Sequence, residues 1–399
     1  MPEDKDHLHQ TALLVAMACV LQIAESLIPH PVPGLRLGLA NVITLITLVT
    51  MGFTSALEIT VLRTILGSFM TGTFMAPGFV LSFAGGVAST CAMGLLYHVP
   101  GLGMSIVGIS IAGALVHNLA QIGAAYLILV RHPGIFVFVP WLCIGAVFVG
   151  WLTGVVAGNV CYALKEGTIR PALPRAPLSH ESLSSGRGLY AAGGSFVHGL
   201  SAGMKIVTLI IISLAVLVMN DLVAYAWIFL LMLGIAAAAR APLSFLLLTA
   251  RRYIFLAVMA GFLPVFVNAS GYAIFRVGFL NFTREGLDAG AVIFSRIMLL
   301  ALFSALLART TAPRDLGRAL GEGLRPLRGI GISGERVARV FADAWMAIPV
   351  FWDISRDIIR GFDLGRFKDI RAIPDVLSAF MTKFYVEAST VVIPEKDAT

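Results

Sequence analysis

Charge is scarce in this chain. Only 13% of its 399 residues are Asp, Glu, Lys or Arg, against 58% hydrophobic ones. Between Thr11 and Leu164 there are five formal charges in all: Glu25, Arg36, Glu58, Arg63 and Arg131. A soluble core cannot hide that much apolar surface, so an ordinary water-soluble domain is excluded. Cysteine is sparse as well. Cys19, Cys91, Cys143 and Cys161 fall in apolar runs without C-x-x-C spacing, which argues for packing residues rather than a zinc site or a disulfide framework. No G-x-x-x-x-G-K-[ST] segment occurs, so ATP hydrolysis, if used, belongs to another chain. No D-D-x-x-D cluster occurs either, and Mg²⁺-assisted diphosphate chemistry normally needs clustered aspartates. The residues indicate no resident metal and no cofactor. Met1–Gln10 is polar and acidic, and no small-residue cleavage site follows the first apolar run, so Thr11–Ile28 reads as a retained span.

What the chain does have is apolar sequence long enough to cross about 30 Å of hydrocarbon many times. Six runs near 11–28, 37–51, 54–70, 78–97, 105–130 and 136–164 are each bounded by Gly, Pro or a charge. A polar stretch rich in Pro, Arg and Ser, 165–198, reads as a cytoplasmic linker. Four more spans follow near 204–219, 222–249 (broken at Arg240-Ala241-Pro242), 253–275 and 290–308. The expected fold is an all-α polytopic membrane protein of about ten transmembrane helices in two modules, 11–164 and 199–308. A cytoplasmic amphipathic region and tail, 309–399, completes it. No sequence repeat relates the two modules.

The net charge of +7 gathers in polar segments beside the spans, where the positive-inside rule accounts for it without nucleic acid. A cytoplasmic N-terminus, 1–10, places Lys165, Arg170, Arg175, Arg187, Arg251-Arg252 and the arginines of 309–373 on the inner face of the cell membrane. The mixed-charge segment Arg276–Asp288 then falls outside.

An ionisable group within a span needs a partner, a cavity or a function. Glu25 stands near the end of the first span, before Pro29-His30-Pro31-Val32-Pro33-Gly34, whose prolines favour a rigid hairpin. It either snorkels to the interface or lines a site. Asn41 opens the second span. Arg63 follows Glu58 by five residues, which at about 100° per residue points the two roughly 140° apart and prevents pairing along one face. His117, Asn118 and Gln121 share one face of the fifth span. Ligand contact and interhelical hydrogen bonding both explain such a patch. Ala12 and Ala16 form a small-xxx-small pair on the first span, nearly opposite Glu25, so one face can dock protein while the other lines a cavity.

Past Arg309, a first helix over 314–326 ends at Arg325-Pro326, and a second over 335–361 carries Val337, Phe341, Ala344, Ile348, Phe351 and Ile358 at helical spacing. Such helices lie on a bilayer or grip a partner protein.

Thr310-Thr-Ala-Pro-Arg-Asp-Leu, Leu324-Arg-Pro-Leu, Gly331-Ile-Ser-Gly-Glu, Ile348-Pro349 and Arg360-Gly361 resemble the transmembrane T component of energy-coupling factor transporters, over roughly 200–375. That resemblance implies that the two helices are coupling arms for separate ATP-binding cassette ATPase subunits, with Arg325, Pro326, Arg360 and Gly361 at their ends. Ile359-Arg360-Gly361 stands where the family usually has Ala-Arg-Gly. Residues 15–165 resemble the Gx transporter family, also labelled heptaprenyl diphosphate synthase component I. Glu25, Pro33-Gly34, Leu37-Gly38-Leu39-Ala40-Asn41, Arg63, Gly85-Gly86, His117-Asn118 and Gln121 carry the match. It is similar to substrate-binding S components, whose first helix docks the T component through an alanine-rich face. Together the resemblances imply a fused S and T pair that imports a small polar or vitamin-like molecule against Glu25, Asn41, Arg63, His117, Asn118 and Gln121, with ATP hydrolysed elsewhere. An accessory role in prenyl diphosphate or quinone metabolism, or a membrane scaffold, are the alternatives.

Overall fold

A computed structural model of the chain describes residues 2–27, 38–99, 101, 103–166, 189–267, 273–277, 280–326, 333–361 and 369–391. The Pro-rich segment Pro29–Gly34, Arg36 and most of the linker lie outside the described residues.

The first half consists of α1 (Pro2–Leu27), α2 (Leu39–Met51), α3 (Phe53–Thr71), α4 (Pro77–His98), α5 (Ile106–Ala124) and α6 (Val139–Lys165). Of the polar residues 1–10, expected as a terminal segment outside the first span, 2–10 form the opening turns of α1. Gly52 alone separates α2 from α3. Its φ of 89° lies in the left-handed region that only glycine adopts without strain, which makes so short a reversal possible. α5 is prolonged by one π-helical turn, Ala125–Val130, and a 3₁₀ segment, Pro133–Phe138, leads into α6.

The second half begins with a single turn, α7 (Phe196–Gly199), then α8 (Ala202–Val218), α9 (Leu222–Ala238), α10 (Leu243–Val267), a hairpin of β1 (Ala273–Val277) and β2 (Leu280–Thr283), and α11 (Arg284–Thr310). The expected break at Arg240-Ala241-Pro242 is present, where Arg240 is left-handed and proline bars a continuing helix, but two other boundaries differ from the expectation. α10 runs straight through Arg251-Arg252. Arginine is a good helix former, so a charged pair is no breaker. Arg276–Asp288, expected as a loop, takes in the end of β1, all of β2 and the opening of α11. Thr283 caps that helix by accepting from the Gly286 N–H at 3.1 Å. Seven helices among the described residues are long and apolar enough to cross a membrane, with three shorter apolar ones, Leu39–Met51, Ala202–Val218 and Leu222–Ala238. The chain is a multi-pass membrane protein.

After Thr310 come α12 (Pro313–Gly323), α13 (Gly334–Arg360) and α14 (Ile373–Ser389). The last was expected only as tail, although Val376, Phe380, Phe384 and Ala388 recur at four-residue steps and are buried.

The two halves meet along an extensive contact. α1 packs on α13, α6 on α14, and α3 on both α11 and α13. Phe341 of α13 is 1% exposed, stands edge-on to Phe69 of α3 at 6.3 Å, and rests where Gly317 of α12 has no side chain. Polar ties flank it: Ser304 donates to the Gly72 carbonyl at 3.0 Å, and Asn159 to Ser378 at 3.1 Å.

Within this contact Asp343 of α13 is largely buried, and desolvation pushes its carboxyl above the usual carboxylate range, with His9 and Arg339 pulling the other way. A carboxyl whose folded pKa is raised contributes most stability below its unfolded value and loses it as pH rises through the folded one. Asp343→Asn is therefore expected to raise the melting temperature of the detergent-solubilised protein at pH 7 by roughly 2 °C. The gain should shrink as the pH falls toward 4, and melts at both ends of that range decide the point.

Candidate functional site

Five polar groups and one histidine selected as charges or amides in apolar sequence converge on one cavity. Glu25, Asn41, Arg63, His117, Asn118 and Gln121 all line it, together with Gln22, Gly38, Thr64 and Ser82. It encloses about 70 Å³. Pockets for small organic ligands run from about 300 Å³ upward, so uptake of such a molecule requires the surrounding helices to part.

Each wall is held by local chemistry. Glu25 is 3% exposed and accepts from the Gly38 N–H at 2.6 Å, so its carboxylate reaches across to the start of α2 and does not snorkel to an interface. Gly38 itself has φ 75° and leads into the helix that carries Asn41. Arg63 is 5% exposed; its guanidinium donates to Asn41 Oδ1 at 2.6 Å and to Gln22 Oε1 at 3.4 Å. Two amide oxygens thus share the cation across α1, α2 and α3. His117 and Gln121, one turn apart, hydrogen-bond at 3.0 Å, and Gly85 of α4 gives them room, since a Cβ there would lie 2.9 Å from Gln121 and 3.0 Å from the His117 ring. Asn118 divides its roles: it borders the cavity, and its amide nitrogen donates to the Leu142 carbonyl of α6 at 2.8 Å. Interhelical hydrogen bonding thus accounts for Asn118, while His117 and Gln121 bond to each other within α5 and border the cavity.

Below Thr64 the polar lining continues as a hydroxyl chain. Thr44, Thr60 and Thr90, all buried, link α2, α3 and α4 at 3.2 and 3.0 Å. Gln22 had not been singled out, although its place three residues before Glu25 on the same face of α1 is a signal that could have found it.

The other charge of α3 goes elsewhere. Glu58 forms a bidentate pair with Arg336 of α13, at 3.2 and 3.0 Å, and the same guanidinium approaches His7 Nδ1 at 3.2 Å. Glu58 and Arg63 thus serve separate places, as their angular separation requires.

The partner-contact candidates fall in two groups. Ala12 and Ala16 are fully buried within α1, the helix that lies on α13. Arg325, Pro326, Arg360 and Gly361 are exposed just past the ends of α12 and at the end of α13, with Arg360 only 3.7 Å from Asp357 of its own helix. Arg296 of α11, buried to 1% exposure, had not been singled out, although a lone arginine in the span 290–308 is the same signal that marked Arg63.

Comparison with known proteins divides the chain at the same place. Residues 14–160 match the family described as heptaprenyl diphosphate synthase component I, and 193–391 match the family described as cobalt transport protein. The second half is similar to the energy-coupling factor transporter transmembrane protein EcfT of Streptococcus thermophilus, at 28% identity over 49% of this chain and 76% of the relative. The corresponding protein of Bacillus subtilis is 27% identical over 49% and 78%. That of Brevibacillus brevis is 30% identical over 43% and 65%.

Proposed function

We propose that this chain, an energy-coupling factor transporter membrane component fused to a substrate-binding S-component-like domain, takes a small polar molecule into the Glu25–Arg63 cavity and is driven by separate ATP-binding cassette ATPase subunits. The observation that carries the reading is the convergence of Gln22, Glu25, Asn41, Arg63, His117 and Gln121 on one cavity, in the half whose first helix lies on the arms.

The chemistry of the walls indicates the cargo. A guanidinium favours an acidic or carbonyl oxygen, a carboxylate favours an amine or N–H, and the His117–Gln121 pair offers both donors and acceptors. A molecule carrying groups of both kinds suits this lining. Coupling follows from the packing. α12 and α13 present Arg325-Pro326 and Arg360-Gly361 to the ATPases, and Phe341 and the Arg336–Glu58 pair pass their displacement to α3. α1 carries it as well, because Ala12 and Ala16 let it sit close to its neighbours and Glu25 lies about 14–20 Å further along the same helix. The basic arms are assigned to the cytoplasmic face by their arginines, and the N-terminal turns lie with them because α1 packs on α13 and Arg336 approaches His7.

Co-purification of the full-length protein with ATP-binding cassette ATPases from the same source tests the reading. Wild type is expected to retain them, Arg360→Glu to lose most of them, and a deletion of 309–399 to lose all. Absence of ATPases from wild type would put an accessory role in prenyl diphosphate or quinone metabolism, suggested by the first family's description, in its place.

A further inference from the structure

From Ala289 to Ala308 the sequence of α11 is apolar or small except for Arg296. A cation in such surroundings costs several kcal/mol in insertion terms unless something takes the place of water. Arg296 is 1% exposed, and no ion pair among the described residues includes it. Its acceptors are neutral. Nη1 donates to the Leu129 carbonyl at 2.5 Å, and Nη2 to the Met219 carbonyl at 3.2 Å and to Asn220 Oδ1 at 2.8 Å. Nε has no partner among the described residues.

The two carbonyls share one property. Leu129 lies in the last turn of the π-helical extension of α5, and Met219 is the C-terminal cap residue of α8. Each helix end carries a partial negative charge of about half an electron, so two of them stand in for a carboxylate. Only a planar, forked donor spans both. The α8 end is held rigidly, because Tyr225 donates to the Val216 and Met219 carbonyls at 2.9 and 2.5 Å. The α5 end belongs to the helix that supplies His117, Asn118 and Gln121 to the cavity, with Gln121 eight residues before Leu129.

We propose that Arg296 is a positioning residue that couples the cavity helix α5 to the second half, independently of the contact between α1 and α13. Its guanidinium has no water to turn to, so the bond to Leu129 is either made or lost, and α5 has a discrete docked position. That position keeps the cavity narrow. Freed from it, α5 moves away from α4 and the cavity opens. The π-helical turn between Gln121 and Arg131 is a second sign that this end of α5 is under constraint, since such turns concentrate at functional places in helices.

The test uses the full-length protein and requires neither a substrate nor an ATPase, so its outcome is separate from that of the transport reading. Amide hydrogen exchange is measured over 125–131 and 219–222, and Ala114→Cys, on the cavity wall, reports access through peptide-resolved alkylation by N-ethylmaleimide. In Arg296→Met, exchange over 125–131 is expected to accelerate at least about tenfold, the protection one charge-assisted hydrogen bond confers. Alkylation of Ala114→Cys should quicken with it, and Arg296→Lys should fall between, because an ammonium cannot reproduce the fork. Faster exchange confined to 219–222, or alkylation unchanged from wild type, overturns the proposal. Should Arg296→Met not yield folded protein, Arg296→Lys and Asn220→Ala carry the same comparison, and wild-type behaviour over 125–131 in both overturns it equally.

Discussion

A leucine at Gly321 is expected to break the proposed association of this protein with ATP-binding cassette ATPase subunits, whereas a leucine at Gly323, in the same helix, is expected to leave it intact. α12 and α13 cross where Gly321 and Gly334 face each other. A Cβ on Gly321 would lie 2.6 Å from the Gly334 carbonyl oxygen and 2.8 Å from Ala338 Cβ, and one on Gly334 would run into the Gly321 carbonyl. The obstacle is backbone, so no side-chain rotation relieves it and the arms must separate. Overpacking of this kind costs roughly 1–3 kcal/mol where the surroundings yield. Here yielding means moving the arm ends, Arg325-Pro326 and Arg360-Gly361, apart. At Gly323 nothing lies within 4 Å of the added carbon, and leucine is the better helix former by several tenths of a kcal/mol. The measurement is ATPase recovery on co-purification alongside the melting temperature of each variant. Gly321→Leu should lose at least about tenfold in recovery, the equivalent of roughly 1.4 kcal/mol. Equal recovery from the two variants would mean that the arm crossing has no part in engagement.

That crossing also shows where reading from sequence stops. Charges and amides in apolar helices announce themselves because burial is costly, which is why Glu25, Asn41, Arg63 and the α5 patch were legible as a group. The angle between Glu58 and Arg63 was legible as well, from helical geometry alone. Glu58's partner was not. Arg336 is 278 residues away on another element, and nothing local to either residue encodes the pairing. Likewise Gly321 and Gly334 look like ordinary loop-flanking glycines until the two helices are set against each other. The second-half boundaries erred for a different reason. The break at Arg240-Ala241-Pro242 was legible from its proline, but Arg251-Arg252 was read as a second boundary because of its charge, although the helix Leu243–Val267 continues through it. The last helix, α14, was missed although its four-residue apolar period was present, because the resemblance to coupling arms accounted for the region without it.

Replacing Arg63 by methionine should abolish ligand retention while leaving the arms in place, and Glu58→Gln should do the reverse. The two positions share α3 and differ by five residues, yet one side chain enters the cavity and the other pairs with α13. Methionine preserves most of the volume of the arginine stem, so the fold keeps its packing and the loss is that of the cation. A hydrogen bond to a charged group is worth about 2 kcal/mol when its partner is buried, which corresponds to about 30-fold in affinity. Asn41 and Gln22 would keep their amide oxygens turned toward a cavity that no longer holds a donor, which adds to the effect. The measurement is a thermal-shift screen of the purified protein against a panel of small polar and vitamin-like molecules. A compound that raises the melting temperature of wild type is expected to leave Arg63→Met unmoved and to stabilise Glu58→Gln as it does wild type. ATPase recovery is expected to be preserved in Arg63→Met and diminished in Glu58→Gln, where Arg336 loses a bidentate partner. If Arg63→Met responds to the compound as wild type does, the polar cavity is packing alone and the cargo binds elsewhere. If both variants lose both properties, cavity and arms are one cooperative unit, and the division of labour along α3 drawn from the geometry is wrong.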